Sequence, residues 1–368
     1  MFKKEVGYTL RILHCVNNMH RAGLETVIMN YYRNIDRTRL QFDFLTHRTS
    51  RSDYDDEIEA LGGKIYHAPR LYPQNYPAYF RYMDNFFREY PEYKIIHSHI
   101  DAMSYLPLLA AKKAGVPVRI AHSHSTGIDL DFKYPLKQYF RLRLNSVATN
   151  RFACGKDAGE FLFQSRDFTV IPNAVNPLDF QFSDDIREKK RKELGISDRF
   201  VIGHVGRMSY PKNHDFLLSL FSKVLEKRQD ALLLLVGTGE KEKQLKEKAI
   251  SLGIASSVRF LGNRSDVNEL YQAMDVFVLP SLFEGIPVVG IEAQFAGLPC
   301  LFSDRVPSEA SFSKICRFQK LSEPLWVWAD DILSLAEYDR NRNVQDTSYD
   351  IKTQSANLQS CYEELALL

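Results

Sequence analysis

Short apolar runs of strand length alternate with stretches of helical spacing along almost the whole chain, and that alternation admits few folds. A strand that is followed by a helix before the next strand pairs with it in parallel, so the pattern predicts parallel sheets in an α/β protein. The first run is residues 11–16, followed by a loop at 17–23 and a helix at 24–34 whose Leu24, Val27, Ile28 and Tyr31 share one face. Further strands are predicted at 42–45, 64–67, 95–99, 118–122, 151–153 and 169–171. Pro172, Asn173 and Pro177 then make a turn-rich stretch, 183–193 is dense in charge, and a linker is predicted at 172–198. The pattern restarts at 200–206 and continues with strands at 231–236, 258–261, 276–279 and 299–303. The reading is two α/β domains, 1–175 and 176–349, with a final helix over 350–368.

The 368 residues suit two domains of this kind. Hydrophobic residues make up 45% and charged residues 26%, which places the chain among soluble globular proteins. A formal net charge of +2 argues against nucleic-acid binding driven by bulk charge. Cys15, Cys154, Cys300, Cys316 and Cys361 are scattered, odd in number and without CxxC spacing. That usage fits a reducing cytoplasm and argues against a zinc site. No apolar core of a signal peptide follows the first residues, and no apolar run approaches the ~20 residues that span a bilayer.

The stretch 281–299 carries the most chemistry. Gly285 and Pro287 read as a turn entering a helix, Gly297 closes that helix, and Pro299 opens the next strand. Glu284 therefore sits in a loop at the carboxyl end of a strand, and Glu292 lies on the helix that follows. In open α/β sheets that edge is where ligands bind. A helix N-terminus favours an anion, while carboxylates accept hydrogen bonds from hydroxyls. A nucleoside diphosphate sugar has both features.

A second segment supplies cations. Gly203, Gly206 and Arg207 close the first strand of the second half, and Lys212 and Asn213 open a helix with Phe216, Leu217, Leu220, Phe221 and Val224 as its core stripe. Asn213 reads as the N-cap of that helix. Arg207 offers planar, bidentate donors to a phosphate, and Lys212 a compact charge. Fixed cations there would stabilise negative charge developing on a diphosphate. With those charges supplied by the protein, no metal is required.

Both segments resemble glycosyltransferase family 4, retaining enzymes of the GT-B fold, in which two Rossmann-like domains face each other and a C-terminal helix returns to the N-terminal domain. The resemblance covers nearly the whole chain, is strongest over 201–303, and finds no motif over 311–343. It implies that Arg207 and Lys212 hold the donor diphosphate and that Glu292 binds the ribose hydroxyls. Glu284, with the backbone of Gly285, Ile286, Pro287 and Val288, would bind the hydroxyls of the donor sugar. Val236, Gly237 and Gly239 match the family's Val-Gly-x-Gly turn, and Asn263 and Arg264 end a strand whose backbone would meet the nucleobase. In the first half the usual Gly-Gly-x-Glu is replaced by Ala22, Gly23, Leu24 and Glu25. One glycine is lost, while Gly23 keeps backbone N–H groups at a helix start. A histidine at the end of the 118–122 strand is implied near the transferred sugar, and His122 and His124 are both candidates. His97 and His99, ending the preceding strand, read as structural.

The resemblance names no protein nucleophile: the donor phosphate itself accepts the acceptor's proton on the same face, and domain closure excludes water. Local phrases around His122, Cys154 and Asn173 are most similar to bacterial exopolysaccharide or capsule enzymes. The partners implied are a UDP-hexose or UDP-N-acetylhexosamine donor and a saccharide acceptor, lipid-linked as in many relatives. Lys133, Lys137, Arg141 and Arg143 interleave with Phe132, Tyr134, Tyr139, Phe140 and Leu142. That pattern reads as an amphipathic helix packed on its own domain; its other reading is a peripheral contact with anionic lipid at the inner face of the membrane. Asp129 and Asp131 form an Asp-x-Asp triplet, a metal motif in the other main glycosyltransferase fold, and read here as loop acids. Two rival functions share the fold: a sugar-nucleotide 2-epimerase, and a non-catalytic scaffold.

Overall fold

The computed structural model describes residues 9–128, 132–164, 166–338, 340, 344 and 346–367. Asp129 and Asp131 lie outside the described residues. The chain divides into two compact units, residues 1–174 with 351–368, and residues 175–350.

The first unit runs β1 (Leu10–Val16), α1 (Gly23–Asn34), β2 (Leu40–Thr46), α2 (Asp55–Ala60), β3 (Ile65–His67), α3 (Tyr76–Glu89), β4 (Ile95–Ser98), α4 (Tyr105–Lys113), β5 (Val118–Ser123), α5 (Tyr134–Leu144), β6 (Asn150–Ala153), α6 (Lys156–Phe163) and β7 (Thr169–Val170). Its strands form one parallel sheet in the order β3-β2-β1-β4-β5-β6-β7. Every residue of β2 and β4 is buried, as expected of strands covered by helices on both faces. On α1 three of the four residues of the predicted face, Val27, Ile28 and Tyr31, are buried, joined by Met29 and Tyr32, while Leu24 is half-buried.

The second unit continues with α7 (Asp184–Leu194), β8 (Phe200–Val205), α8 (His214–Lys227), β9 (Ala231–Val236), α9 (Glu242–Ser251), β10 (Val258–Gly262), α10 (Val267–Ala273), β11 (Val276–Leu279), α11 (Val288–Phe295), β12 (Cys300–Ser303), β13 (Cys316–Gln319) and α12 (Leu325–Leu335). Its parallel sheet has the order β10-β9-β8-β11-β12-β13. In each sheet the strand order reverses beside the unit's first strand, and such a switch point opens a crevice at the carboxyl ends.

One expectation needs correction. The charged stretch read as linker is a helix, α7, which Ser183 caps by accepting the Ile186 N–H at 3.4 Å and which ends at Gly195 in the left-handed region, φ 62°. Its buried face is cationic: Lys190 lies 2.8 Å from Glu193, Asp266 and Glu269, and Arg191 donates to the Ala273 carbonyl at 2.8 Å. The region without a motif holds β13 and α12, whose Trp328 is fully buried and donates to the Lys320 carbonyl at 2.9 Å.

The chain ends in α13 (Ile351–Leu365), which belongs to the first unit and packs on α1. Ile351, Leu358 and Tyr362 are buried there, and Gln359 accepts the Asp36 N–H at 2.9 Å. Among the described residues, no helix is long and apolar enough to cross a membrane.

Candidate functional site

Arg207, Gly237, Asn263 and Glu284 each follow the carboxyl end of a strand in the second unit, β8, β9, β10 and β11 respectively. The loop after β8 is held by the loop after β9. Gly206 N–H donates to the Val236 carbonyl at 2.9 Å, and Met208 N–H to the Thr238 carbonyl at 3.0 Å. A Cβ on Gly237 would stand 2.3 Å from the Gly206 oxygen, and one on Gly239 2.3 Å from the Met208 oxygen. The Val-Gly-x-Gly turn thus needs its glycines so that it can lie against the Arg207 loop.

Lys212 ends a single 3₁₀ turn, Tyr210–Lys212. Its Nζ lies 2.6 Å from Glu284 Oε1, and the Ser281 hydroxyl donates to the same oxygen at 2.7 Å. Asn213 occupies the N-cap position of α8, but it is left-handed (φ 55°) and its side chain does not cap the helix. Its amide instead donates to the Pro280 carbonyl at 3.1 Å and, with Leu282 N–H on the Pro211 carbonyl at 2.8 Å, ties the cation loop to the end of β11. Arg207 is 71% exposed and 3.1 Å from Glu240.

Glu292 behaves differently. It sits on α11 only 8% exposed, and burial pushes its carboxyl up to about 7, against a smaller pull from the Tyr271 hydroxyl, which donates to Oε2 at 2.8 Å. Pro287 is the N-cap of α11 rather than its first residue, no side chain caps the helix, and Gly297 (φ 63°) ends it. Gly285 and Ile286 are buried in the turn ahead of that N-terminus, and Val288 opens the helix. Asn263 is exposed, whereas the Arg264 guanidinium is engaged by Asp266 at 2.6 and 2.7 Å. The structure therefore joins Lys212 to Glu284 directly, while Arg207, Arg264 and Glu292 each have a partner of their own.

In the first unit, Gly23 is exposed at the start of α1, and a Cβ there would meet nothing within 4 Å. Ala22 caps α1 with ordinary extended backbone, φ −143°, so replacing a glycine at 22 leaves no strain.

The carboxyl ends of β1, β4 and β5 gather five histidines. His14 is in register with His97, and His99 and His124 stand two residues beyond His97 and His122 on the same face. Two chains of ring contacts result. His14 Nδ1 lies 2.9 Å from His99 Nε2, and His99 Nδ1 lies 3.0 Å from His124 Nε2. His97 Nε2 lies 3.0 Å from His122 Nδ1, and His97 Nδ1 lies 2.5 Å from the Tyr362 hydroxyl. Burial pushes His14 and His124 down to about 3 and His97, His99 and His122 well below the usual range, so all five are neutral at pH 7. Asp101, itself left-handed at φ 45°, accepts the His124 backbone N–H at 2.8 Å and fixes the end of β5. Ring nitrogens of His14, His97 and His99, and of His99, His122 and His124, fall within 4.8 Å of one another. Each short contact is satisfied by one hydrogen on one partner and one lone pair on the other. The cluster is best described as a neutral imidazole network.

Sequence reasoning gave no individual role to Tyr271, Ser281, Glu240, Asp101, His14 and Tyr362. For Tyr362 a signal existed: Ile351, Ser355, Leu358 and Tyr362 recur at helical spacing and mark the buried face of α13.

Residues 21–177 match the family described as Glycosyltransferase Family 4, and residues 186–313 that of Glycosyl transferases group 1. The chain is 38% identical over 337 residues to the putative glycosyltransferase EpsF of Bacillus subtilis (strain 168), covering 89% of this chain and 88% of that protein. It is 30% identical over 225 residues to the UDP-Gal:alpha-D-GlcNAc-diphosphoundecaprenol alpha-1,3-galactosyltransferase of Escherichia coli, 58% of each chain. The crystal structure of Anabaena Alr3699/HepE in complex with UDP and glucose matches with a TM-score of 0.79 at 17% identity, over 96% of this chain and 99% of that one. The fold is therefore that of the GT-B glycosyltransferases. The chain belongs to glycosyltransferase family 4 and is a glycosyltransferase enzyme.

Proposed function

We propose that this glycosyltransferase moves a hexose or N-acetylhexosamine from a UDP-sugar to a saccharide acceptor, with retention and without a metal, in the synthesis of a surface polysaccharide. The observation that carries the reading is the Lys212–Glu284 pair at 2.6 Å beside the N-terminus of α11, which no side chain caps. A diphosphate attracts Lys212 and the helix terminus, and sugar hydroxyls then replace Lys212 as partners of Glu284. Arg207 is exposed and paired with a surface carboxylate, a pairing a phosphate readily displaces. Glu292 accepts ribose hydroxyls, and His122 or His124 contacts a saccharide oxygen at the carboxyl edge of the first unit's sheet.

The names of the relatives point the same way. The Escherichia coli relative is named for UDP-Gal, an α-1,3 product and a diphosphoundecaprenol-linked acceptor. UDP-Gal is itself an α-glycoside, so an α product is retention. HepE was also solved with UDP-glucose. By this reading the acceptor is lipid-linked, and exposed residues of α5 rest on anionic lipid at the inner face of the membrane.

The test is thermal stabilisation against UDP-, GDP-, ADP- and dTDP-sugars, first with EDTA and then with Mg²⁺, followed by NMR of the anomeric proton of the product. A shift confined to UDP-sugars that survives EDTA, with an α product, is the expected result. A shift that requires Mg²⁺, or a β product, overturns the metal-free retaining reading. Free epimerised UDP-sugar formed without acceptor would favour a 2-epimerase.

A further inference from the structure

The mechanism proposed above leaves the Tyr362–His97–His122 contacts without a task. Tyr362, on α13, is fully buried, and that burial holds its phenol protonated. A phenol O–H is a stronger donor than the N–H of neutral imidazole, and an imidazole nitrogen is the stronger acceptor. Across the 2.5 Å contact the hydroxyl therefore donates to His97 Nδ1. A neutral imidazole carries one proton, so His97 must then carry it on Nε2 and donate across 3.0 Å to His122 Nδ1. By the same count His122 carries its proton on Nε2. That nitrogen is buried and has no hydrogen-bond partner among the described residues. A buried N–H left unpaired is costly, so the arrangement calls for an oxygen from outside the chain. The adjoining cavity, lined among others by His14, His97, His122, Tyr31 and Tyr362, has about 20 Å³, room for one water-sized group.

The other chain of rings lacks such an anchor. His14, His99 and His124 contact only one another through their rings in the hydrogen bonds above, and His14 Nε2 is also unpartnered, so either direction of donation satisfies the same two contacts. We propose that Tyr362 is a positioning residue that, through His97, fixes His122 as the Nε2–H tautomer, and that this N–H is the donor offered to an oxygen of the bound saccharide. The inference rests on the functional reading above, and it selects His122 over His124 for that contact. It also gives α13 a role at the site beyond closing the fold.

The tautomer is measured directly by ¹⁵N–¹H correlation on protein labelled at histidine, with no substrate present. Wild type should show His122 protonated at Nε2. In Tyr362→Phe, which removes one oxygen, the His122 nitrogens should move toward a mixture of tautomers. kcat should then fall roughly tenfold, the scale of one oriented hydrogen bond, with little change in donor KM. His97→Gln, whose amide can accept from Tyr362 and donate to His122, should retain Nε2–H and recover most of kcat. Protonation of His122 at Nδ1 in wild type, or a Tyr362→Phe spectrum identical to wild type at His122, overturns the proposal. A shifted tautomer with unchanged kcat overturns the assignment of that N–H to substrate. If wild type turns over no UDP-sugar, the failure belongs to the functional reading, and the tautomer measurement still decides the relay.

Discussion

Lys212 Nζ stands 2.6 Å from Glu284 Oε1, and both side chains are more than four-fifths buried. Each group is the other's counter-charge, so removing one leaves the other's charge uncompensated by that contact in a partly desolvated place. Arg207, by contrast, pairs with Glu240 in solvent. Arg207→Ala should leave stability within ~0.5 kcal/mol of wild type, because exposed pairs contribute little. Lys212→Ala should lower stability measurably in urea unfolding. Both should reduce donor turnover by roughly 10²-fold or more, the scale of losing one group that stabilises transition-state charge. If both variants keep wild-type rates, neither cation holds the diphosphate.

Glu292 gives a pH dependence with a definite sign. Its carboxyl titrates at about 7 in the folded chain against an ordinary 4.5, because burial disfavours the charged form. A carboxyl raised in the folded state contributes stability that is fully present below 4.5 and is lost as pH rises through about 7. The difference corresponds to about 3 kcal/mol. Glu292→Gln, which keeps an acceptor for the Tyr271 hydroxyl, should therefore be more stable than wild type at pH 8 without ligand. The gap should close as the pH falls toward 5. Urea unfolding of both proteins across that range checks it; a gap independent of pH would refute the raised carboxyl. The same variant should bind UDP-sugar more weakly at pH 8, where the wild type offers a carboxylate.

Gly237 and Gly23 should respond in opposite ways to the same methyl group. Gly237 has φ +125°, and a Cβ would sit 2.3 Å from the Gly206 carbonyl oxygen, so the Arg207 loop must shift. Gly237→Ala should cost about 1–3 kcal/mol, the scale of a strained backbone position, and lower donor affinity with it. Gly23→Ala meets nothing within 4 Å and should hold stability within about 1 kcal/mol. Thermal unfolding with and without UDP separates the two cases.

The parallel sheets were legible because most of their strands are short runs dominated by apolar residues and the helices between them have one apolar face; β8, β9 and β11 are buried at every residue. α7 was not, because the residues it buries are Lys190 and Arg191, and a periodicity search weighs only apolar residues. Its partners, Asp266, Glu269 and Asp275, are more than seventy residues away in sequence. β13 escaped because it is a four-residue strand at the sheet edge with Arg317 and Phe318 exposed. At the site, residues within one motif could be read together, while Tyr271 beneath Glu292 and Tyr362 behind His122 could not. Tyr271 is joined to Glu292, and Tyr362 to His97 and through it to His122, by the fold alone, the direct pairs being 21 and 265 positions apart.

The last prediction concerns α5. Phe140 and Leu144 face the interior, as an amphipathic helix packed on its domain requires. Phe132 just ahead of it is 81% exposed and Leu142 65%, with Tyr139 also exposed and Arg143 beside them. Packing on the domain therefore leaves three large apolar side chains outside, next to cations, a pattern suited to the surface of an anionic bilayer. Wild-type protein should co-sediment with phosphatidylglycerol vesicles and much less with neutral phosphatidylcholine vesicles. Phe132→Ser with Leu142→Ser should reduce partitioning by roughly tenfold or more, since each large apolar side chain withdrawn from lipid forfeits about 1.5–3 kcal/mol. UDP-sugar binding should be unchanged, because neither residue belongs to the donor site. Equal binding of wild type and the double variant would remove α5 from the membrane contact, and no binding to anionic vesicles would remove the contact itself.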